Sequence, residues 1–175
     1  MAGQQSETSI GRYSQRPFPC YRYVPGATPH PTRDPRGHSY GIHPDTLASF
    51  NAEDWARCSE YLYGIDLFNQ GYWWEAHEAL EAIWVAAGRH TEAGSFVQGL
   101  IQIAAAEFKW SQGYFRPAER LAAKGLEKIS RRSGIYLGVD VAKFRAEVKV
   151  RFVSPRNTAC VIRLMVPAKT QSGTN

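Results

Sequence analysis

The clearest alternation of apolar and polar positions lies over residues 115 to 131. Phe115, Ala118, Leu121, Ala122, Gly125, Leu126 and Ile129 share one side of a 3.6-residue period, and Arg116, Arg120, Lys124, Lys128 and Arg131 share the other. Such a stripe predicts an amphipathic helix with its apolar side in a core. Helical periodicity also predicts helices over about 53 to 69, 72 to 87 and 94 to 111. Asn51 is a suitable cap for the first, and a shorter fifth helix follows Asp140.

Two of the predicted junctions repeat each other. Phe68-Asn69-Gln70-Gly71-Tyr72-Trp73-Trp74-Glu75-Ala76 lies over Trp110-Ser111-Gln112-Gly113-Tyr114-Phe115-Arg116-Pro117-Ala118 at an offset of 42 residues. In each copy the glycine ends one helix, where a left-handed backbone costs it little, and the aromatic after it opens the next. Pro117 suits a first helical turn. Two such units are too few, and their period too long, for a tetratricopeptide solenoid, whose repeat is about 34 residues. The expectation is an all-α fold: a small bundle made of two helix-turn-helix units plus a shorter C-terminal helix.

Composition divides the chain further. Seven of its ten prolines fall between Pro17 and Pro44, so residues 1–50 are expected to form an extended, polyproline-like or partly disordered arm. Residues 51–152 would be the helical domain and 153–175 a loosely ordered tail. Residues 1–115 carry 8 Lys and Arg against 12 Asp and Glu, whereas residues 116–175 carry 13 against 4. Cys20, Cys58 and Cys160 are odd in number and widely spaced, which fits a reducing, cytoplasmic setting better than a disulfide framework. The polar start of the chain and the lack of a long apolar run argue against a signal peptide and a membrane span.

The helix expected over 72 to 87 carries polar residues in an unusual place. At about 100° per residue, His77 and Glu81 fall between Trp73 and Trp84 on one side and Trp74 and Val85 on the other. Glu75, Ala79, Ala82 and Ala86 form the expected solvent face, with Glu78 at its margin. On the helix expected over 94 to 111, Glu107 falls in the middle of the apolar arc and aligns with Ile65 across the repeat. A buried carboxylate needs a partner or a proton, and His77 and Arg120 are the candidates.

The segment Asn69-Gln70-Gly71-Tyr72-Trp73-Trp74-Glu75-Ala76-His77-Glu78-Ala79-Leu80-Glu81-Ala82-Ile83-Trp84, followed by Gln98-Gly99-Leu100-Ile101-Gln102, resembles the "domain of unknown function 309" family. That family's hallmark is His-Glu-x-Leu-Glu-x-x-Trp, matched here by His77, Glu78, Leu80, Glu81 and Trp84. The resemblance covers roughly residues 55 to 150. It implies a small all-α fold and carries no established activity.

Three functional readings compete. The favoured one is a polar pocket lined by His77, Glu81, Trp74, Trp84 and Glu107 that binds a small molecule, with catalysis by His77, Glu78 and Glu81 left open. The second is a metal-dependent hydrolase in which His77 and Glu81, at i and i+4, hold one ion and Glu78 serves as base. A zincin would need histidine at position 81, and a di-iron bundle would need Glu-x-x-His on two helices. Further ligands could come from His30, His38 or His43 in the arm. The third reading is an interaction module in which His77, Glu81 and Glu107 form a structural network and the basic face meets an acidic partner. Nucleic acid is disfavoured, because no aromatic ladder or recognised motif accompanies the charge. Cofactor and oligomeric state stay open.

Overall fold

The computed structural model describes residues 11–42 and 47–166. His43 lies outside the described residues. A 3-10 helix, Ala52–Arg57, leads into α1 (Ser59–Asn69), α2 (Trp73–Ala87), α3 (Glu92–Ser111) and α4 (Phe115–Ile129). A two-stranded hairpin, β1 (Ile135–Tyr136) and β2 (Val139–Asp140), then feeds α5 (Val141–Arg151). The protein is all-α apart from this hairpin. Among the described residues, no helix is long and apolar enough to cross a membrane.

Consecutive helices pack on one another from α1 through α4. The core is built from Tyr61, Ile65 and Phe68 of α1, Leu80 and Ile83 of α2, Phe96, Leu100 and Ile103 of α3, and Ile129 of α4, each 0 or 1% exposed. The turns before α2 and α4 adopt the same backbone. Gly71 and Gly113 have φ of +76° and +80°, and the following tyrosines have φ of −83° in both cases, with ψ of 57° at Tyr72 and 66° at Tyr114. Helices α3 and α4 approach closely at Gly99 and Gly125: a Cβ on Gly125 would lie 2.8 Å from the Gly99 carbonyl oxygen.

The helix expected over 53 to 69 is broken. Cys58 is extended (φ −80°, ψ 99°), separating the 3-10 helix from α1. The break accompanies the burial of Trp55, which stacks edge-on against Tyr61 at 6.1 Å and leaves no room for a Cβ at Gly138 in the hairpin. Asn51 caps the 3-10 helix by accepting the Glu53 N–H. Periodicity gave no sign of the hairpin, whose tight turn places Leu137 at φ +46° and Gly138 at φ +78°.

Of the tail expected over 153–175, the structure describes residues 153–166, and part of that stretch lies on the core. Cys160, Ile162 and Leu164 are buried, the Asn69 side-chain amide both donates to and accepts from the Ile162 backbone at 2.8 Å, and Leu164 bridges to Val139. Alternate apolar residues let the tail lay one edge on the core while its backbone finds fixed partners. The described arm is extended chain and turns, tied to α1 and α2. Asp66, 2% exposed, accepts from the Tyr13 and Ser14 N–H groups at 2.8 Å and from the Ser14 hydroxyl at 2.7 Å. Tyr63 and Tyr72 donate to the carbonyls of Pro17 and Pro19, and Phe18 stacks on both rings.

Candidate functional site

Helix α2 turns its Ala76, Leu80 and Ile83 edge into the core. His77, Glu78 and Glu81 lie on the far side of that edge, where His77 and Glu81 are partly exposed and not enclosed as the structural-network alternative describes. The side chains of His77 and Glu81 are 31% and 47% exposed, and their Nε2 and Oε1 atoms stand 3.6 Å apart, too far for a good hydrogen bond. Glu78 joins them: one ligand atom from each of the three residues lies within 4.8 Å of the others. Partial burial of the Glu78 carboxyl raises its pKa above the ordinary value. His77 opposes this shift and the Glu81 charge adds to it. The cluster therefore combines an imidazole and two carboxylates in reach of solvent, with an unrelieved cost to carrying both negative charges.

Glu107 is inward-facing as the repeat suggested, but its partner is neither His77 nor Arg120. It is 0% exposed and receives Arg151 Nε at 3.1 and 3.0 Å, Arg151 Nη2 at 3.0 Å and the Cys160 N–H at 2.8 Å. Arg120 is exposed on α4, whereas Arg151 ends α5 and reaches back across Trp110. This pair ties α3, α5 and the tail together and leaves Glu107 no free lone pair for a ligand. Burial and the adjacent Glu107 carboxylate also raise the Cys160 thiol far above its ordinary pKa, which removes it as a nucleophile.

The arm histidines separate from the His77 cluster. His30 packs against Tyr23 and Trp74, with centroid distances of 4.9 and 5.4 Å, so Trp74 is covered by the arm rather than open to a ligand. His38 meets Glu75, which the helical period had assigned to the solvent face. Glu75 is 5% exposed. Its Oε1 accepts the Tyr23 N–H at 2.8 Å and faces His38 Nε2 at 3.2 Å, while Oε2 has no partner among the described residues. Trp84 lies beneath the Arg89 guanidinium, 4.9 Å from its ring centre. Glu75, Asp66 and Arg151 are polar residues that periodicity did not find. The surfaces covering them come from the arm and from α5, and an isolated helical period counts only core and solvent.

A depression of about 430 Å³ lies between Tyr13–Arg16 of the arm and the start of α1, and another of about 250 Å³ adjoins Thr91 and Lys128. Neither is lined by His77, Glu81, Trp74 or Trp84. The His77, Glu78 and Glu81 cluster instead lies in reach of solvent on one face of α2. Residues 61–121 match the family described as "Domain of unknown function (DUF309)". No curated protein matches the chain.

Proposed function

We propose, for a chain whose residues 61–121 match the DUF309 family, that α2 binds a divalent cation through His77, Glu78 and Glu81. The observation that carries this reading is the convergence of three ligand atoms within 4.8 Å of one another. Ligands about 2.1 Å from one ion lie roughly 3 to 3.5 Å from each other, so small rotamer changes would close the cluster on a metal. A cation would also relieve the repulsion between the Glu78 and Glu81 carboxylates. A mixed nitrogen and oxygen donor set suits zinc, manganese or iron(II) better than calcium.

Three protein ligands on an exposed helix leave coordination positions for water or a small anion. A bound ion there would lower the pKa of its water and polarise a ligand oxygen, the chemistry of hydrolysis. The small-molecule ligand inferred from the sequence would then be held by the ion, not by a tryptophan-walled cavity. Isothermal titration of chelator-treated protein with zinc or manganese at neutral pH tests the assignment. One ion per chain is expected, with affinity reduced at least tenfold in His77→Ala and in Glu81→Gln. The exposed sites should leave stability within about 0.5 kcal/mol of the parent. Absence of binding, or equal binding by the variants, would refute it.

A further inference from the structure

Where the arm crosses α2, three side chains form a chain of hydrogen bonds that is separate from the cation cluster. Ser39 Oγ lies 2.8 Å from His38 Nδ1, and His38 Nε2 lies 3.2 Å from Glu75 Oε1. The imidazole and the carboxylate are covered, their side chains 7% and 5% exposed, whereas Ser39 is only half-buried. From this geometry we infer that Ser39 is a nucleophile for acyl transfer, with His38 as its general base and Glu75 as the positioning residue.

The acid determines the direction of the relay. A carboxylate oxygen facing Nε2 is placed to accept the hydrogen of that nitrogen, which leaves the Nδ1 lone pair for the Ser39 hydroxyl. That is the tautomer in which histidine can take a proton from serine, and the assignment of roles rests on geometry rather than position in the chain. The residue is held from three further directions. The Tyr21 hydroxyl accepts the His38 backbone N–H at 3.1 Å and donates to the Pro29 carbonyl, the Tyr21 ring lies 4.7 Å from the imidazole, and the Tyr23 backbone N–H fixes the carboxylate oxygen that His38 faces. The loop that carries Ser39 is itself tight. Ser39 N–H donates to the Pro31 carbonyl, and a side chain at Gly37 would collide with the backbone of His30 and Pro31.

The chemistry balances without an outside oxidant or reductant. Ser39 Oγ bonds to the carbonyl carbon of an ester while its proton passes to His38 Nδ1, and the imidazolium so formed faces the Glu75 carboxylate. The bond from the carbonyl carbon to the alcohol oxygen then breaks, and the alcohol leaves with the Nδ1 proton. Water attacks the acyl-serine, gives a proton to Nδ1, and the acyl–Oγ bond breaks as Oγ takes that proton back and the carboxylic acid departs. Exposed Tyr40 and Ile42 offer an apolar surface beside the nucleophile, which favours small acyl esters of low charge.

The test uses the full chain and two probes, phenylmethanesulfonyl fluoride and p-nitrophenyl acetate. A single sulfonyl adduct should map by mass spectrometry to the Ser39 peptide, and ester hydrolysis should fall at least tenfold in Ser39→Ala and in His38→Gln. Glu75→Gln should lower kcat with little change in KM, because it acts through His38 and does not touch substrate. Glu75→Asp should restore part of the loss. The far-ultraviolet spectrum of each variant establishes that the bundle is intact. Adducts spread over several serines, or hydrolysis unchanged in Ser39→Ala with its fold intact, would overturn the assignment. Hydrolysis and labelling are read without added metal, so their failure is distinguishable from failure of cation binding at His77.

Discussion

Replacing Arg151 by methionine isolates the cost of stranding a buried charge. Methionine keeps much of the arginine stem, and with it the packing against Trp110 and Phe152, but it removes three contacts to the Glu107 carboxylate at 3.0 to 3.1 Å. It also removes the 2.7 Å donation from Nη1 to the Asn157 carbonyl. Glu107 would retain, among the described residues, its contacts with Cys160, including the N–H at 2.8 Å, while remaining fully enclosed. Breaking a buried pair from one side costs about 3–5 kcal/mol, a large share of the roughly 5–15 kcal/mol that holds a domain folded. At about 2–4 °C per kcal/mol for a chain of this size, the melting temperature followed by circular dichroism should fall by about 6 to 20 °C. Glu107→Leu combined with Arg151→Met removes both charges and should recover much of that loss. If Arg151→Met melted within about 1 kcal/mol of the parent, or if the double variant were no better than the single one, the pair could not be the staple described here.

The crossing of α3 and α4 gives a second test. Gly125→Ala gains up to about 1 kcal/mol of helix propensity, but its methyl group would stand 2.8 Å from both the Gly99 carbonyl oxygen and Ile103 Cδ1. Overpacking of about 1–3 kcal/mol should win, because backbone cannot move aside; a urea midpoint at or above the parent's would contradict this. Cation affinity at the α2 cluster should weaken as pH falls from 7 to 5, since His77 must be neutral and both carboxylates ionised. The raised pKa of Glu78 brings proton competition in at a higher pH than for an ordinary glutamate, so Glu78→Gln should flatten the acid side of the titration. Without metal the sign reverses. The native chain then holds the Glu78 proton more tightly than the unfolded chain, so this residue's contribution is present at low pH and lost as pH rises through its shifted value. A titration equally steep in the parent and in Glu78→Gln would refute the role given to that carboxylate.

Local chemistry made the helices legible in the sequence. The glycine–tyrosine turns at Gly71 and Gly113, the Asn51 cap and the amphipathic stripe from Phe115 to Ile129 all act within a few residues, and periodicity reads interactions of that range. Even Glu107 was legible as inward-facing, through its alignment with Ile65. Its partner was not, because Arg151 lies 44 residues away at the end of a helix with little amphipathic signal. The Cys58 break and the hairpin turn at Leu137 and Gly138 accompany the approach of Trp55 to Gly138, a contact between distant segments. The candidate site was legible in part. His77, Glu78 and Glu81 were identified and do converge, but they are exposed. Their enclosure was inferred from the flanking tryptophans, and those indoles are engaged elsewhere: Trp74 under Tyr23 and His30, Trp84 under Arg89. His38 was singled out without the residue that gives it a role, since Glu75 reads as a solvent position until an arm covers it.

The two similar units differ in the residues that recruit the rest of the chain. Asp66, Asn69 and Glu75 of the first unit hold, in turn, Ser14, Ile162 and the Tyr23–His38 stretch. The 42-residue offset places Phe108, Ser111 and Pro117 at the equivalent positions of the second unit, and none of these offers a carboxylate or amide to unpaired backbone. A docking strand in search of hydrogen-bond acceptors is therefore satisfied mainly by α1 and α2, with Glu107 of α3 adding one acceptor for the Cys160 N–H. The outer face of α4 stays bare and carries its exposed arginines and lysines to solvent. The arm in turn brings His38 and Ser39 onto Glu75 while leaving His77, Glu78 and Glu81 uncovered, so one fifteen-residue helix presents a carboxylate shielded from water on one side and a solvent-facing ligand cluster on the other. The shielded side suits orienting an imidazole and the open side suits admitting an ion, because the same charge is worth more in a low dielectric and is more exchangeable in a high one.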